Sequence, residues 1–572
     1  MTDPLGVVAT YQLGRTLEAA SRAWPSLETA LPCGTGPNTQ LFYEDAAHPL
    51  RPTREIDGEG HITLMAYDAH GMMTSRTEAL GEPEERTTEW QYHATFPAFP
   101  TLVRRPSTVP NELRETSMAY DSATGDLLSR TETGMEAGSA FALTTTYTYN
   151  AAGQPLTIDP PGYGTADVVS FTYDATRGGL LPLTRTDPLI GTTTFGYDGF
   201  NRRSSVTDPN GVETTTLYDS LSRVKEVLEV GDATTPEQRT SYTYSAFGDL
   251  ICIKKPEGNG LAYGYDAVGR QTEIQRGTAK PTPTATSCLE TASTFPRDRT
   301  LYTLNAAGMR INEKLQTVVG STITTQAETS YVYSTRCHLD KVIQAPGTVA
   351  EATTEHGYDC NGRLARTWDA NHPSSGQTLP ATSVYGYDAL DRLVSATQPW
   401  TGTGGGSAVT SYAFDVQDHL IQVIDAEGNP TTYSYSDRDL MTQEVSPASG
   451  TTNRAYNEHG ELVSETDARG IVSTRTLDAL DRVTRLDYPG TAQDVSYTYD
   501  DAAVPFSKGR LTRISRTGST LDYRYDRWAA LRKMEARLQL GQERAEEPPS
   551  CILKASQRLI RSISRIEKRA SP

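Results

Sequence analysis

Polar and apolar residues alternate along this chain in short runs that close on an aromatic pair. The runs "TTFGYD", "LAYGYD", "TTYSYS", "VSYTYD" and "LDYRYD" each pass through that pair and then stop at Asp or Ser. In residues 193–219, Thr193, Phe195 and Tyr197 fall on one side of a strand, because successive side chains in a strand point to opposite faces. The next four residues, Asp198-Gly199-Phe200-Asn201, read as a tight turn, with Asn201 tolerating a positive φ. Gly71, Gly153, Gly248, Gly269, Gly308, Gly362 and Gly460 stand at the equivalent place, as a left-handed position requires. A second strand, "RSSVT", is closed by Asp208-Pro209-Asn210-Gly211, where Pro pre-sets φ and Gly supplies the reversed twist. The pattern therefore predicts strand, turn, strand, turn, an antiparallel ribbon that meanders.

The unit recurs. With the second aromatic as anchor, 18 positions fit between Tyr67 and Tyr525: 15 Tyr, two Leu and one Phe, with Asp next in 12. The spacing has a floor of 21 residues, as from Tyr197 to Tyr218 and Tyr244 to Tyr265. Longer intervals are expected to carry loop-like inserts outside the repeated frame, "QRGTAKPTPTATSCLETAS" among them. A lone hairpin is marginal in water, so each unit needs neighbours to cover its aromatic side. The stacked whole must twist and curl to protect its inner face and edges. The chain also opens inside the pattern: Asp3-Pro4-Leu5-Gly6 sits on the second turn and Leu13 on the anchor position. That predicts an internal portion of a longer protein.

Composition narrows the function classes. A hydrophobic fraction of 36%, 30 Tyr against 11 Phe, and 46 Gly with 33 Pro favour many short strands over long helices. A net charge of −18 argues against a nucleic-acid or anionic-membrane binder. The charge breaks at the C-terminus, where residues 527–572 hold 11 Lys and Arg against 5 Asp and Glu. Six cysteines without a C-x-x-C pair are too sparse for a disulfide framework or a zinc module, and are expected as free thiols. No apolar run reaches the length of a membrane span, and no signal peptide is visible at the N-terminus. The expected organisation is a partial repeat start over 1–60, a repeat ribbon over 61–526, and a basic, helical or disordered tail over 527–572. Leu, Met, Ala, Arg and Glu prevail in 527–547 and favour helix there.

The form Tyr-Asp-x-x-Gly-Arg is clearest at Tyr265, Asp266, Gly269 and Arg270, and at Tyr358, Asp359, Gly362 and Arg363. Looser versions stand at Tyr387, Asp388 and Arg392, and in "LDALDR" of residues 477–482; Tyr197 with Asp198 and Tyr218 with Asp219 are further anchors. This form resembles the YD repeat of Rhs proteins, shared by wall-associated bacterial proteins, the C subunits of insecticidal toxin complexes and the animal teneurins. The likeness covers roughly residues 60–526. It implies an all-β ribbon coiled into a hollow shell, here open or partial, that encloses or presents a toxic C-terminal polypeptide. It further implies a secreted or cell-surface location, and a non-enzymatic container rather than a catalyst. Binding of carbohydrate or cell-surface glycans is a second role attributed to such repeats. Bacterial shells usually end in a D-P-x-G-L-type motif linked to autoproteolysis. None follows Tyr525, so no cleavage residue carries over, and a truncated remnant without activity of its own is a third reading.

Candidate chemistry is weighed against that frame. "SVYGYDALDRLVSATQPW", residues 383–400, gathers Asp388, Asp391, Arg392, Tyr385 and Tyr387 as if for acid–base work. The same residue types recur at the turn of most units, and a group repeated up to 18 times belongs to the scaffold. His356 occupies an aromatic slot and reads as a packing residue. Cys337 with His338, and Cys360, fall in repeat turns rather than in a nucleophile–base pair. "TGTGGGS" lacks the Lys-Ser/Thr of a phosphate loop, and "DPNG" or "DAEG" gives one carboxylate per turn, short of a calcium loop. In the tail, Ile552, Leu553, Leu559, Ile560, Ile563 and Ile566 form an approximate helical stripe, with a toxin fragment as the sharper alternative. No catalytic, cofactor or metal residue is assigned.

Overall fold

The computed structural model describes residues 39–232, 235–284, 287–292, 294–370, 381–399 and 406–527, with the strand backbones Thr10–Gly14, Trp24–Glu28 and Leu531–Leu538. Its elements are almost all strands, interrupted only by the helical turns Gly164–Ala166, Ala175–Arg177 and Thr491–Gln493 among the described residues. The chain divides into two compact units. One holds Met1–Leu143, Thr216–Glu229 and Glu237–Ala448; the other holds Thr144–Thr215, Val230–Pro236 and Ser449–Pro572.

In the first unit, Ile62–Tyr67, Met73–Glu78, Arg86–Tyr92, Pro100–Pro106 and Leu113–Tyr120 pair antiparallel, each with the next. A second run proceeds the same way from Gln238–Tyr244 through Asn259–Tyr265, Ala352–Tyr358 and Ser383–Tyr387. The second unit repeats the arrangement from Val169–Tyr173 to Arg203–Thr207, and again from Gly450–Tyr456 to Leu531–Leu538. Register shifts fall at the anchors, between Gly196 and Tyr197, Gly264 and Tyr265, Gly357 and Tyr358, and Gly386 and Tyr387. A bulge there bends and twists the strand as it enters the turn.

The sheet is half-buried, with few fully enclosed side chains. Trp368, Cys252 and Asp437 are the large enclosed groups of the first unit, and Leu521 that of the second, among the described residues. Val495, Ile514, Leu521 and Tyr523 form a small core in the second unit, with Tyr497 and Tyr525 packed against it. Burial this thin cannot hold the ribbon by area alone, so local ties between units carry more of the load.

Three expectations are corrected. The insert after Tyr265 is not a loop. Gln271–Thr284 and Ser287–Leu289 are strands that pair with each other, because the Thr-rich run extends as readily as the repeat does. The cysteines are not all free. Cys252 and Cys288 are joined across 36 residues with their Cα atoms 5.6 Å apart, and Cys360 is disulfide-bonded; Cys337 is a free, exposed thiol. The folded-out insert returns its second strand beside Cys252, a proximity that sequence spacing does not reveal. The tail does not begin as a helix. Leu531–Leu538 pairs with Ser519–Tyr525 from Tyr525↔Leu531 to Ser519↔Leu538, and the free edge of that strand overrides local helix propensity. The stripe from Ile552 to Ile566 and most of "TGTGGGS" lie outside the described residues.

Candidate functional site

The recurring polar constellation is the turn after each anchor. Asp266 shows how it is built. Its Oδ1 accepts from the backbone N–H of Val268 (3.0 Å) and of Arg270 (2.9 Å), while Oδ2 accepts from Arg270 Nε at 2.7 Å. The backbone closes the same loop, Asp266 N–H donating to Arg270 O and Gly269 N–H to Asp266 O. Gly269 has φ +81°, a conformation that L side chains rarely adopt. Asp198 with Arg202, Asp219 with Arg223, Asp359 with Arg363 and Asp388 with Arg392 repeat these bonds. Hydrogen bonds from Arg202 hold the Asp198 carboxyl below its ordinary range, and those from Arg270 do the same for Asp266.

Several of these turns then reach the following repeat. Arg363 lies 4.7 Å from the centre of the Tyr387 ring and donates to Asp388 O at 3.3 Å. Arg392 lies 5.0 Å from the Phe414 ring and donates to Asp415 O at 2.7 Å. Arg177 makes the same pair of contacts with Tyr197 and Asp198. The anchors reach back in turn. Leu250 is the register partner of Tyr244, and its carbonyl accepts from the Tyr265 hydroxyl at 2.7 Å. Pro182 pairs with Tyr173 and accepts from Tyr197; Leu339 pairs with Tyr333 and accepts from Tyr358; Leu364 pairs with Tyr358 and accepts from Tyr387. This bond explains the excess of Tyr over Phe: the ring packs, and the hydroxyl satisfies a carbonyl that the bulge would leave open. Tyr92 belongs to the series, bonding Met73 O at 2.7 Å, but its turn "HATFPAFP" lacks the Asp and Gly that mark an anchor.

At Tyr387 the two neighbouring acids are both engaged. Asp388 binds Arg392 at 2.7 Å, and Asp391, at φ +64°, accepts from Arg363 at 2.5 Å and Asn361 at 3.1 Å. His356 shares the half-buried face of Ala352–Tyr358, where burial pushes its pKa down.

A second kind of site joins parts of one unit that are about 300 residues apart. In the first unit, Asp437 is fully enclosed and accepts from Ser107 Oγ, the backbone N–H groups of Thr108 and Met135, and Gln417 Nε2, each at 2.7 Å. Burial opposes its charge, but these donors outweigh it and hold the carboxyl below the ordinary value. Gly134 lies against it so closely that a Cβ there would sit 2.7 Å from Asp437 Cβ. Nearby, Arg86 pairs with Asp418 and Arg114 with Asp439, each at 2.7 Å, and Asn361 donates to Asp57 at 2.7 Å. In the second unit, His459 lies between Asp481 (Nδ1, 2.7 Å) and Asp167 (Nε2, 3.0 Å), with Tyr163 edge-on at 5.1 Å. Burial works against its charge, but Asp481 and Asp167 together raise its pKa. Asn210 and Lys508 exchange two hydrogen bonds in the same unit.

These seam residues carry no sequence signature of their own. Their one trace is departure from the repeat: Ser436 stands where Asp usually follows the anchor, and the acid is displaced to Asp437.

A model described as RHS Repeat matches residues 179–213, 414–452 and 456–493. No curated protein matches the chain. Among solved structures, a Tc holotoxin pore of Photorhabdus luminescens with a mutation in TccC3 is similar at 14% identity and a TM-score of 0.48; the match covers 86% of this chain and 28% of that one. A TcdB2–TccC3–Cdc42 structure is similar at 12% identity and a TM-score of 0.37, over 94% of this chain and 34% of that one. TcdB2–TccC3 without its hypervariable C-terminal region follows at 13% identity and 0.35, over 90% and 30%. The chain thus spans about a third of the length of these relatives.

Proposed function

The chain is an RHS/YD-repeat protein, and from that premise we propose that it is a length of container wall, serving to enclose or present an effector polypeptide carried at the C-terminal end of a longer product. One observation carries the reading. In the Tyr-Asp…Arg repeats the Asp is committed to its own turn, and the Tyr and Arg to the neighbouring repeats, the hydroxyl backwards and the guanidinium forwards. Groups so committed are poor candidates for acid–base or nucleophilic work, and the YD turns are assigned no reaction. The seams supply the second requirement of a wall. Within each unit, turns of one stretch grip loops of another roughly 300 residues away, so a ribbon becomes a surface. An exported location fits the Cys252–Cys288 bond, since such crosslinks persist in oxidising compartments.

Small-angle scattering and negative-stain microscopy of the full chain test this reading. A wall predicts a curved particle with a concave or hollow interior. A solid particle of the same mass would overturn it. Cargo is tested separately by appending a protease-sensitive reporter after Pro572: enclosure predicts slower cleavage than for the reporter alone.

A further inference from the structure

We propose that an apolar row of turn tips in the first unit docks a second copy of this chain, taking the opposite edge of that copy's ribbon. The row is recognised by the position that makes the seams. In the first unit the third residue after an anchor reaches across. Asn361, after Tyr358, donates to Asp57 at 2.7 Å; Gln417, after Phe414, donates to Pro106 O at 3.0 Å; Arg438, after Tyr435, pairs with Glu136 at 3.0 Å. The receiving groups belong to second turns, at the far ends of the strands Arg54–Ile56, Pro100–Pro106 and Leu127–Glu136. In all three contacts a tip meets a second turn.

Three successive anchors carry a different kind of residue there. Leu221 follows Tyr218, Phe247 follows Tyr244 and Val268 follows Tyr265, and they are 68%, 96% and 75% exposed. The turn itself uses only the backbone N–H of this residue, which donates to Asp219 from Leu221 and to Asp266 from Val268. The side chain is left to answer to what lies outside. The Tyr244 hydroxyl bonds Val224 O and the Tyr265 hydroxyl bonds Leu250 O, so the tips follow one edge of the sheet. Two strand spacings set them roughly 10 Å apart. A lone exposed apolar side chain is ordinary on a protein surface, but a set repeated along one edge marks a contact. Leu390 supplies the comparison: it is the apolar tip between Asn361 and Gln417, on the docked stretch, and there it is half-buried. An apolar tip on the docked stretch is thus covered, and the same residue type upstream is bare.

The occupant follows from the edge that docked tips already take. Residues 345–351 form a second turn of the first unit built like residues 79–85: Gly347 N–H donates to Glu351, and Gly81 N–H to Glu85, each at 2.7 Å. Beside the earlier turn, Arg86 donates to Val416 O at 3.2 Å and to Asp418 at 2.7 Å, so that edge holds a docked tip. The later turn offers Val349, fully exposed. A second copy thus brings the right kind of edge, with an apolar residue for an apolar row. The two faces differ, so contact runs head to tail, and each copy keeps one face for the next. This pairing extends a contact mode already present in the first unit, which favours a ribbon over a lipid surface as the occupant. It holds whether or not the chain encloses a cargo.

Sedimentation velocity and light scattering on the full chain, over a range of protein and salt concentrations, test the proposal. The wild type should associate beyond a dimer, and more strongly at high salt, because screening relieves the repulsion between copies of net charge −18. Phe247→Asp and Val349→Asp should each weaken association about tenfold or more. Both positions are exposed, so each variant should keep the far-UV circular dichroism of the wild type, which separates lost contact from lost fold. An equimolar mixture of the two should recover dimers and stop there, because each variant keeps one intact face. A monomeric wild type, variants that associate as the wild type does, or a mixture that fails to pair would each overturn the proposal. Flotation with phosphatidylcholine vesicles covers the other occupant. A wild type that floats as a monomer while Phe247→Asp does not would assign the row to a lipid surface, and overturn the proposal too.

Discussion

The two units solve the same mechanical problem with opposite chemistry. In the first, a carboxylate is sunk among neutral donors: Asp437 accepts from Ser107, Thr108, Met135 and Gln417. In the second, a basic ring is held between two acids, His459 between Asp167 and Asp481. Each nitrogen of that ring faces a carboxylate oxygen, so both must bear hydrogen, and only the imidazolium satisfies both. One seam therefore needs a proton absent and the other needs a proton present. Fixed donors can hold a buried charge by geometry alone, whereas a histidine holds its neighbours only while charged.

Removing the centre of the first seam gives the largest expected effect. Asp437→Ala leaves buried N–H groups without acceptors and should cost roughly 3–5 kcal/mol locally. Hydrogen exchange at the Thr108 and Met135 amides would report it, with the second unit unaffected. Equal loss of protection in both units would mean that the seams are not independent. Gly134→Ala presses a methyl group against Asp437 Cβ and should cost about 1–3 kcal/mol at the same amides.

The two seam centres, His459 and Asp437, should respond to pH in opposite directions. The folded-state pKa of His459 is raised above 6.5, so its contribution is whole below that value and is lost as pH rises through the raised one. The folded-state pKa of Asp437 is lowered below 3.8, so its contribution is whole above 3.8 and is lost as pH falls through the lowered value. Thermal unfolding across the range should show the second unit weakening on the alkaline side of 6.5, and the first weakening in acid through Asp437 with an alkaline loss of its own through His419, which Asp415 and Asp439 hold charged. His459→Gln should remove the second unit's alkaline loss, leaving that of the first, at a cost of about 1–2 kcal/mol. An alkaline loss that persists in the second unit of this variant would place the titration elsewhere.

The smallest effect serves as the common control. Tyr265→Phe in the first unit and Tyr197→Phe in the second delete equivalent hydroxyl bonds, and each should cost about 1 kcal/mol. Unequal costs would show that the repeat itself differs between the units, and not only the seams.

What was legible in the sequence follows from this division. The YD turn could be read because its logic is contained within six residues and stated many times: the positive φ at Gly269, Gly362 and Asn201 is local chemistry. The seams could not, since Asp437 and Ser107 are 330 residues apart and no period connects them. The Cys252–Cys288 bond is hidden from the sequence for a similar reason, because its formation depends on an insert folding into strands. Leu531–Leu538 departs from its sequence for another reason. Its residues favour helix, but the strand before it offers an open ladder of hydrogen bonds, and a ladder already in place is a stronger instruction than propensity.

The backward direction of the tyrosine bonds has a consequence for how the molecule comes into being. Tyr265 bonds to Leu250 and Tyr387 to Leu364, in each case a carbonyl that left the ribosome earlier. A newly made unit therefore finds its partner already waiting, and the ribbon can be knitted from the N-terminus at the pace of synthesis. Only the seams must wait for some 300 further residues, so the growing chain passes through a long period as a formed but unfastened strip.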